Sequence, residues 1–235
     1  MSENTDFARN SVPNIFRFYW LSIVGIIIYV LLDVIAQSLP PHYSPIRDAE
    51  SDLAVGPYGF IMAINFVNRG LLSLSFVYAL SKTVKFVGGN IRAFKTGSSL
   101  IVIWGFGSAI LAFFPTDVPA TPMSWHGAIH FVVAIIVFIA AALGTLSLSL
   151  HMDDCEVTKG VKKVAMGIAF SVVLFWTVEF VSPFVLHHFS DSYGGLLERL
   201  FLGSVLLWIL TVSIYIALGK SVSAKTDLER PVSNA

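Results

Sequence analysis

Six mostly apolar stretches alternate along the chain with short polar segments. They run over residues 15–37, 56–80, 97–114, 125–150, 164–186 and 195–218. A helix of about 20 apolar residues is long enough to cross the hydrocarbon layer of a bilayer. Membrane barrels carry instead alternating segments of about ten residues, which this chain lacks. Helices are the other way to satisfy every backbone group in lipid. The pattern therefore predicts an all-α integral membrane protein, a bundle of six transmembrane helices over 15–218. Polar segments flank it at 1–14 and 219–235, and the second reads as a disordered tail. The apolar run after Asn14 is too long for the core of a cleavable signal, and no small-x-small site follows it, so it reads as a permanent first span.

The basic residues orient these spans. Arg9, Arg17, Lys82, Lys85, Arg92, Lys95, Lys159, Lys162, Lys163, Lys220, Lys225 and Arg230 fall on one side, twelve of the fifteen Lys and Arg. By the positive-inside rule both termini are cytoplasmic. The loops at 38–55, 115–124 and 187–194 then face outward, and those at 81–96 and 151–163 face inward. The location expected is the cytoplasmic (inner) membrane of a prokaryote. Composition agrees with lipid as the solvent: 55% of residues are hydrophobic and 13% charged, against about 25% charged in soluble domains. Mean hydropathy is +0.76. Formal net charge is zero, which removes the basic footprint that nucleic-acid binding needs. Membrane lipids are the expected partners. Cys155 stands alone and has no internal disulfide partner.

Ionisable groups within spans are costly and mark functional sites by default. Here they gather toward the outer side. Asp33 ends span one. Asn65, Asn68 and Arg69 form a polar stripe on span two. His126 and His130 open span four, Glu179 lies in the outer half of span five, and Glu198 and Arg199 open span six. Asp117, Asp48, Glu50 and Asp52 lie in the outer loops. Asp33, Glu179 and Glu198 against Arg69 and Arg199 sum to −1, which a protonated histidine, a bound cation or an internal network would each accommodate.

His126 and His130 are spaced i, i+4, so their Cβ atoms stand about 5–6 Å apart on one helix face. Two such imidazoles can share zinc or another divalent cation. Gly127 stands where H-E-x-x-H sites carry their glutamate, and a third ligand would have to come from Asp117, Glu179, Glu198 or His187. Helix capping, carboxylate bonding or headgroup contact are the alternatives. Pro183 deprives the Glu179 carbonyl of its helical partner; Ser182 is a donor nearby, and a cation or proton site and a pair with Arg69 or His130 both remain open. A carboxylate at the start of span six suits the helix dipole. Arg199 has the wrong sign for that end, so it needs a carboxylate or a lipid phosphate. Gly105 with Ala109, Ser108 with Ala112 and Ala140 with Gly144 carry the small-x-x-x-small spacing of close helix packing, within the chain or in a homo-oligomer. Bis-histidine haem ligation would need facing histidines in the inner half, where only His151 stands, at the edge.

Four stretches together, SDLAVGP (51–57), FPTD (114–117), HGAIH (126–130) and GLLERL (195–200), resemble the prokaryotic membrane family known as domain of unknown function nine-nine-eight. The resemblance covers nearly the whole chain. It implies a six-helix integral membrane protein and no established activity. HGAIH is also similar to the histidine–aspartate sites of membrane hydrolases, but the span order differs and no catalytic role is carried over. Three functions follow as expectations. The first is an outward-facing pocket of Asp33, Asn65, Arg69, Asp117, His126, His130, Glu179, Glu198 and Arg199 that binds a lipid headgroup, polar ligand or cation. The second is a metal-dependent lipid hydrolase with His126 and His130 as ligands. The third is a proton- or cation-coupled carrier in which Glu179 and the histidines titrate.

Overall fold

The computed structural model describes residues 2–40, 43–118, 121–185 and 187–228, with the side chains of 15–40, 43–118, 121–185 and 192–219. Among these residues there are helices and no strands. In chain order they are α1 (Ser2–Gln37), a 3-10 turn (Glu50–Ala54), α2 (Gly59–Phe86), α3 (Ile91–Leu111), α4 (Trp125–Leu150), a second 3-10 turn (Met152–Asp154), α5 (Glu156–Lys159), α6 (Lys162–Val185) and α7 (His187–Leu228). Six of them, all but α5, are long and apolar enough to cross a membrane. They form a closed ring in which each packs on its neighbour, α1 on α2, then α3, α4, α6, α7 and back to α1.

Glycine sets the closeness of the ring. A Cβ on Gly70 would lie 2.7 Å from the Gly105 carbonyl oxygen, one on Gly144 2.8 Å from Ile101 Cδ1, and one on Gly97 2.6 Å from Leu148 Cγ. The small-residue faces expected from the sequence are thus occupied by α2, α3 and α4 meeting one another. Gly88, at φ +71°, turns the chain between α2 and α3, where an L side chain would be strained.

Aromatic side chains fill the interior. Trp104 meets Phe201 edge-on with ring centroids 6.4 Å apart, and Phe76 meets Trp208 at 5.5 Å. Each indole N–H finds a hydroxyl: Trp104 donates to Ser73 at 3.1 Å and Trp208 to Ser149 at 2.8 Å. Buried indoles need such partners. The outward faces remain apolar, with Leu31, Phe106 and Leu207 half exposed or more, as lipid-facing positions would be.

The expected 81–96 loop shortens to 87–90, because α2 runs to Phe86 and α3 begins at Ile91, and three other helix boundaries differ more from the sequence reading. The 187–194 stretch, expected as a loop, is the start of α7; its polar residues suggested a loop, but none of 187–193 is a helix breaker. α7 also runs on to Leu228, into the expected disordered tail, and α1 begins at Ser2, within the expected polar segment. Residues 229–235 lie outside the described ones.

Candidate functional site

The predicted polar residues cluster at the end of the bundle that holds the α1–α2 connection, and they divide there into three groups. The first stitches that connection to α7. Arg199 donates from Nη1 to the carbonyls of Pro45, Asp48 and Gly195 at 3.0, 3.1 and 3.2 Å, and from Nη2 to the Tyr43 hydroxyl. Its Cζ lies 5.5 Å from the Tyr43 ring centroid, and Nη2 is 4.0 Å from Asp33 Oδ1. The Gly195 and Leu196 N–H groups donate to Arg47 and Ile46 carbonyls at 3.1 and 2.9 Å. A Cβ on Gly195 would lie 2.1 Å from the Asp48 carbonyl oxygen. Arg199 therefore finds acceptors inside the fold, in the α1–α2 connection and in its own helix.

The second group ties helix ends. Asp117 accepts from the Ser124 N–H at 2.8 Å and from its hydroxyl at 2.5 Å, and Ser124 Oγ accepts from the Gly127 N–H at 3.1 Å, capping α4. The two Ser124 donors hold the Asp117 carboxyl below the usual range. A Cβ at position 127 would lie 1.9 Å from Asp117 Oδ2, so glycine stands there for room. Asn65 and Asn68 donate to the Tyr29 and Gly25 carbonyls of α1 at 3.1 and 2.9 Å.

The third group lines a cavity of about 450 Å³ between α2, α4, α6 and α7, within the size range of small-molecule sites. Arg69, His130, Glu179 and Glu198 supply its polar wall. Arg69 is 2% exposed. Its Nε donates to Ser108 Oγ at 3.1 Å, and its Cζ sits 4.7 Å from the Trp104 ring and 5.0 Å from Phe66. The rings favour the cation, yet among the described residues no carboxylate lies within ion-pair distance of it. His130 Nδ1 is 2.7 Å from the Phe114 carbonyl. A carbonyl only accepts, so Nδ1 carries hydrogen and the neutral ring keeps an unprotonated Nε2. Glu179 forms no ion pair among the described residues, and its buried Oε2 has no hydrogen-bond partner. The expected pairs with Arg69 and His130 do not form. Ser182 Oγ does reach the Glu179 carbonyl, at 3.4 Å, the carbonyl that Pro183 leaves without its helical donor. Phe131 on α4 and Phe180 and Phe184 on α6 line the rim and are 57%, 49% and 74% exposed. Exposed side chains of α4 and α6 thus border the cavity.

The histidine pair separates. His130 enters the cavity wall, while His126 packs against Trp125 and Phe114, 3.5 and 5.9 Å between centroids. Among the described residues no three His, Cys, Asp or Glu side chains gather as a metal site. Two imidazoles turned to different neighbours lack the third ligand that zinc needs. The side chain of His187, the remaining candidate, lies outside the described residues. Glu198 is also corrected: α7 starts at His187, so Glu198 is inside the helix rather than at its N-terminus, and its Oε2 accepts from the Glu50 N–H at 2.6 Å.

The residues 23–215 match the family described as Protein of unknown function (DUF998). The chain belongs to that family. No curated protein and no solved structure matches it. The matched range includes all four motifs, and the family's description names no activity. The four motifs also fall at this end of the bundle: SDLAVGP and GLLERL where the α1–α2 connection meets α7, FPTD and HGAIH where Asp117 holds Ser124, the cap of α4.

Glu50 was named in the sequence only as a loop carboxylate, and the structure buries it to 2% exposure. The Tyr29 hydroxyl donates to it. Burial, then the neighbouring Asp33, pushes its pKa up to about 8. An 18-residue connection between spans, longer than a turn requires, was the available signal that this segment folds back. Tyr43 and Ser108 were likewise missed as partners of the two arginines.

Proposed function

We propose that this DUF998 protein is a non-catalytic membrane protein that binds an amphiphile through the cavity between α4 and α6. The observation that carries the reading is the pairing of an unsatisfied polar wall with an apolar rim. Among the described residues Arg69 forms no ion pair and Glu179 keeps a buried oxygen without a donor, and polar groups so placed are costly unless a ligand meets them. The phenylalanine rim offers a path for a hydrocarbon chain from the surrounding lipid. The positive-inside rule puts the cavity in the outer leaflet and the α2–α3 and α4–α6 connections in the cytoplasm of a prokaryotic cell.

Mass spectrometry of an organic extract of the detergent-purified protein tests this. The wild type retains lipid at near one molecule per chain after delipidating washes. Ala134→Trp, which fills the cavity from α4, retains about tenfold less. Equal lipid on both proteins refutes the site. A cation- or proton-coupled carrier is the second reading, favoured by the unpartnered Glu179 beside Pro183. It requires that Glu179→Gln abolish transport in proteoliposomes.

A further inference from the structure

The amphiphile reading leaves the headgroup open, and the distribution of charge in the cavity narrows it. The lining carries a cation, Arg69, spread over the Trp104 and Phe66 rings and bonded among the described residues through Nε, and His130 lines the same cavity. The same lining carries two carboxylates, Glu179 from α6 and Glu198 from α7. Opposite charges line one space, yet no pair of them comes within 4.0 Å, since none of the ion pairs joins these residues. A collapsed network would have joined them. Glu179 has the further mark of a buried oxygen without a donor. An arrangement held open in this way is complementary to a ligand that carries both signs.

Resting on the amphiphile reading, we infer that the cavity selects a zwitterionic lipid whose phosphate meets Arg69 and whose primary ammonium meets Glu179. A phosphodiester fits the Nη donors of arginine. An ammonium carries up to three N–H donors, enough to reach the orphaned Glu179 Oε2 and a neighbouring acceptor such as Glu198 or the unprotonated Nε2 of His130. A glycerol headgroup keeps the phosphate contact and leaves both carboxylates without a cation. The acyl chain leaves past Phe131, Phe180 and Phe184.

The test is native mass spectrometry of the full-length protein in detergent with two single-chain probes of equal acyl length, lysophosphatidylethanolamine and lysophosphatidylglycerol. The wild type binds the ethanolamine probe about tenfold more tightly, as expected for one charge-assisted contact in a partly buried site. Glu179→Gln, close in shape, brings the ratio to about one while both probes still bind. Equal affinity of the wild type for both probes overturns the headgroup assignment and leaves the cavity reading intact. Binding of either probe that survives Ala134→Trp unchanged, or no binding at all, overturns both. Should Glu179→Gln fail to fold, the wild-type ratio alone decides.

Discussion

Glu50 shows how far a single residue can depart from its sequence context. It lies in a polar loop, yet it is buried against Tyr29 with Asp33 near, and its pKa is pushed up to about 8 from an ordinary 4.5. The folded state therefore holds this proton more tightly than the unfolded chain does. Its contribution to stability is fully present below pH 4.5 and is lost as pH rises through about 8. Melting temperature in detergent should fall between about pH 5 and about pH 9, and Glu50→Gln should flatten that fall. A melting curve for Glu50→Gln as steep in pH as the wild type's would contradict the assignment. The residues legible in the sequence were those whose cost is obvious from depth alone. Arg69, Glu179 and Glu198 had to be answered somewhere, and they line one cavity. Glu50 could not be found that way, because a carboxylate in a loop carries no sequence-level cost until the loop folds inward. His126 and His130 failed as a pair for a related reason. The i, i+4 spacing fixes where the Cβ atoms stand, but Phe114 and Trp125 decide where the rings turn.

At the scale of elements, the α1–α2 connection and α7 behave as one unit. Arg199, Tyr43, Asp33 and the N–H groups of Gly195 and Leu196 bind the loop to the helix, and Gly195 allows the approach. Gly195→Val sets a side chain against the Asp48 carbonyl, so the loop must detach. The expected result is a bundle that keeps its helical circular dichroism, becomes sensitive to limited proteolysis within 44–55, and loses bound lipid several-fold. Unchanged protease resistance would show that the loop has another anchor. Span positions were readable from hydrophobicity because lipid imposes the length. The ends were less so. The 187–194 stretch is polar but has no breaker before Gly194, and polarity at a membrane surface is as compatible with helix as with loop. Which small residues meet which helix was equally unreadable, since Gly70 and Gly105 find each other across two elements.

For the whole molecule, lysine and arginine bias implies one orientation and the cavity implies one accessible side. A Cys155→Ser background carrying Thr121→Cys, in the α3–α4 loop, should be labelled by a membrane-impermeant maleimide on intact cells. Lys159→Cys in the same background should be labelled only after lysis. The reverse pattern would turn the cavity toward the cytoplasm. The presence of six long apolar helices was legible because lipid allows so few alternatives. The closed ring was not, because the sequence does not state which helix is whose neighbour, and α4 and α6 border the cavity only once the ring is closed. Lipid is proposed to enter between them, past Phe131, Phe180 and Phe184. The most direct measurement is cross-linking with a lysolipid carrying a diazirine on its acyl chain, followed by peptide mapping. Adducts should concentrate on the α4 and α6 peptides that contain Phe131, Phe180 and Phe184, and excess unlabelled lysolipid should displace them. Adducts spread evenly over the lipid-facing surface of the bundle, including the exposed Leu21, Ile27 and Leu31 of α1, and unaffected by competitor would contradict it.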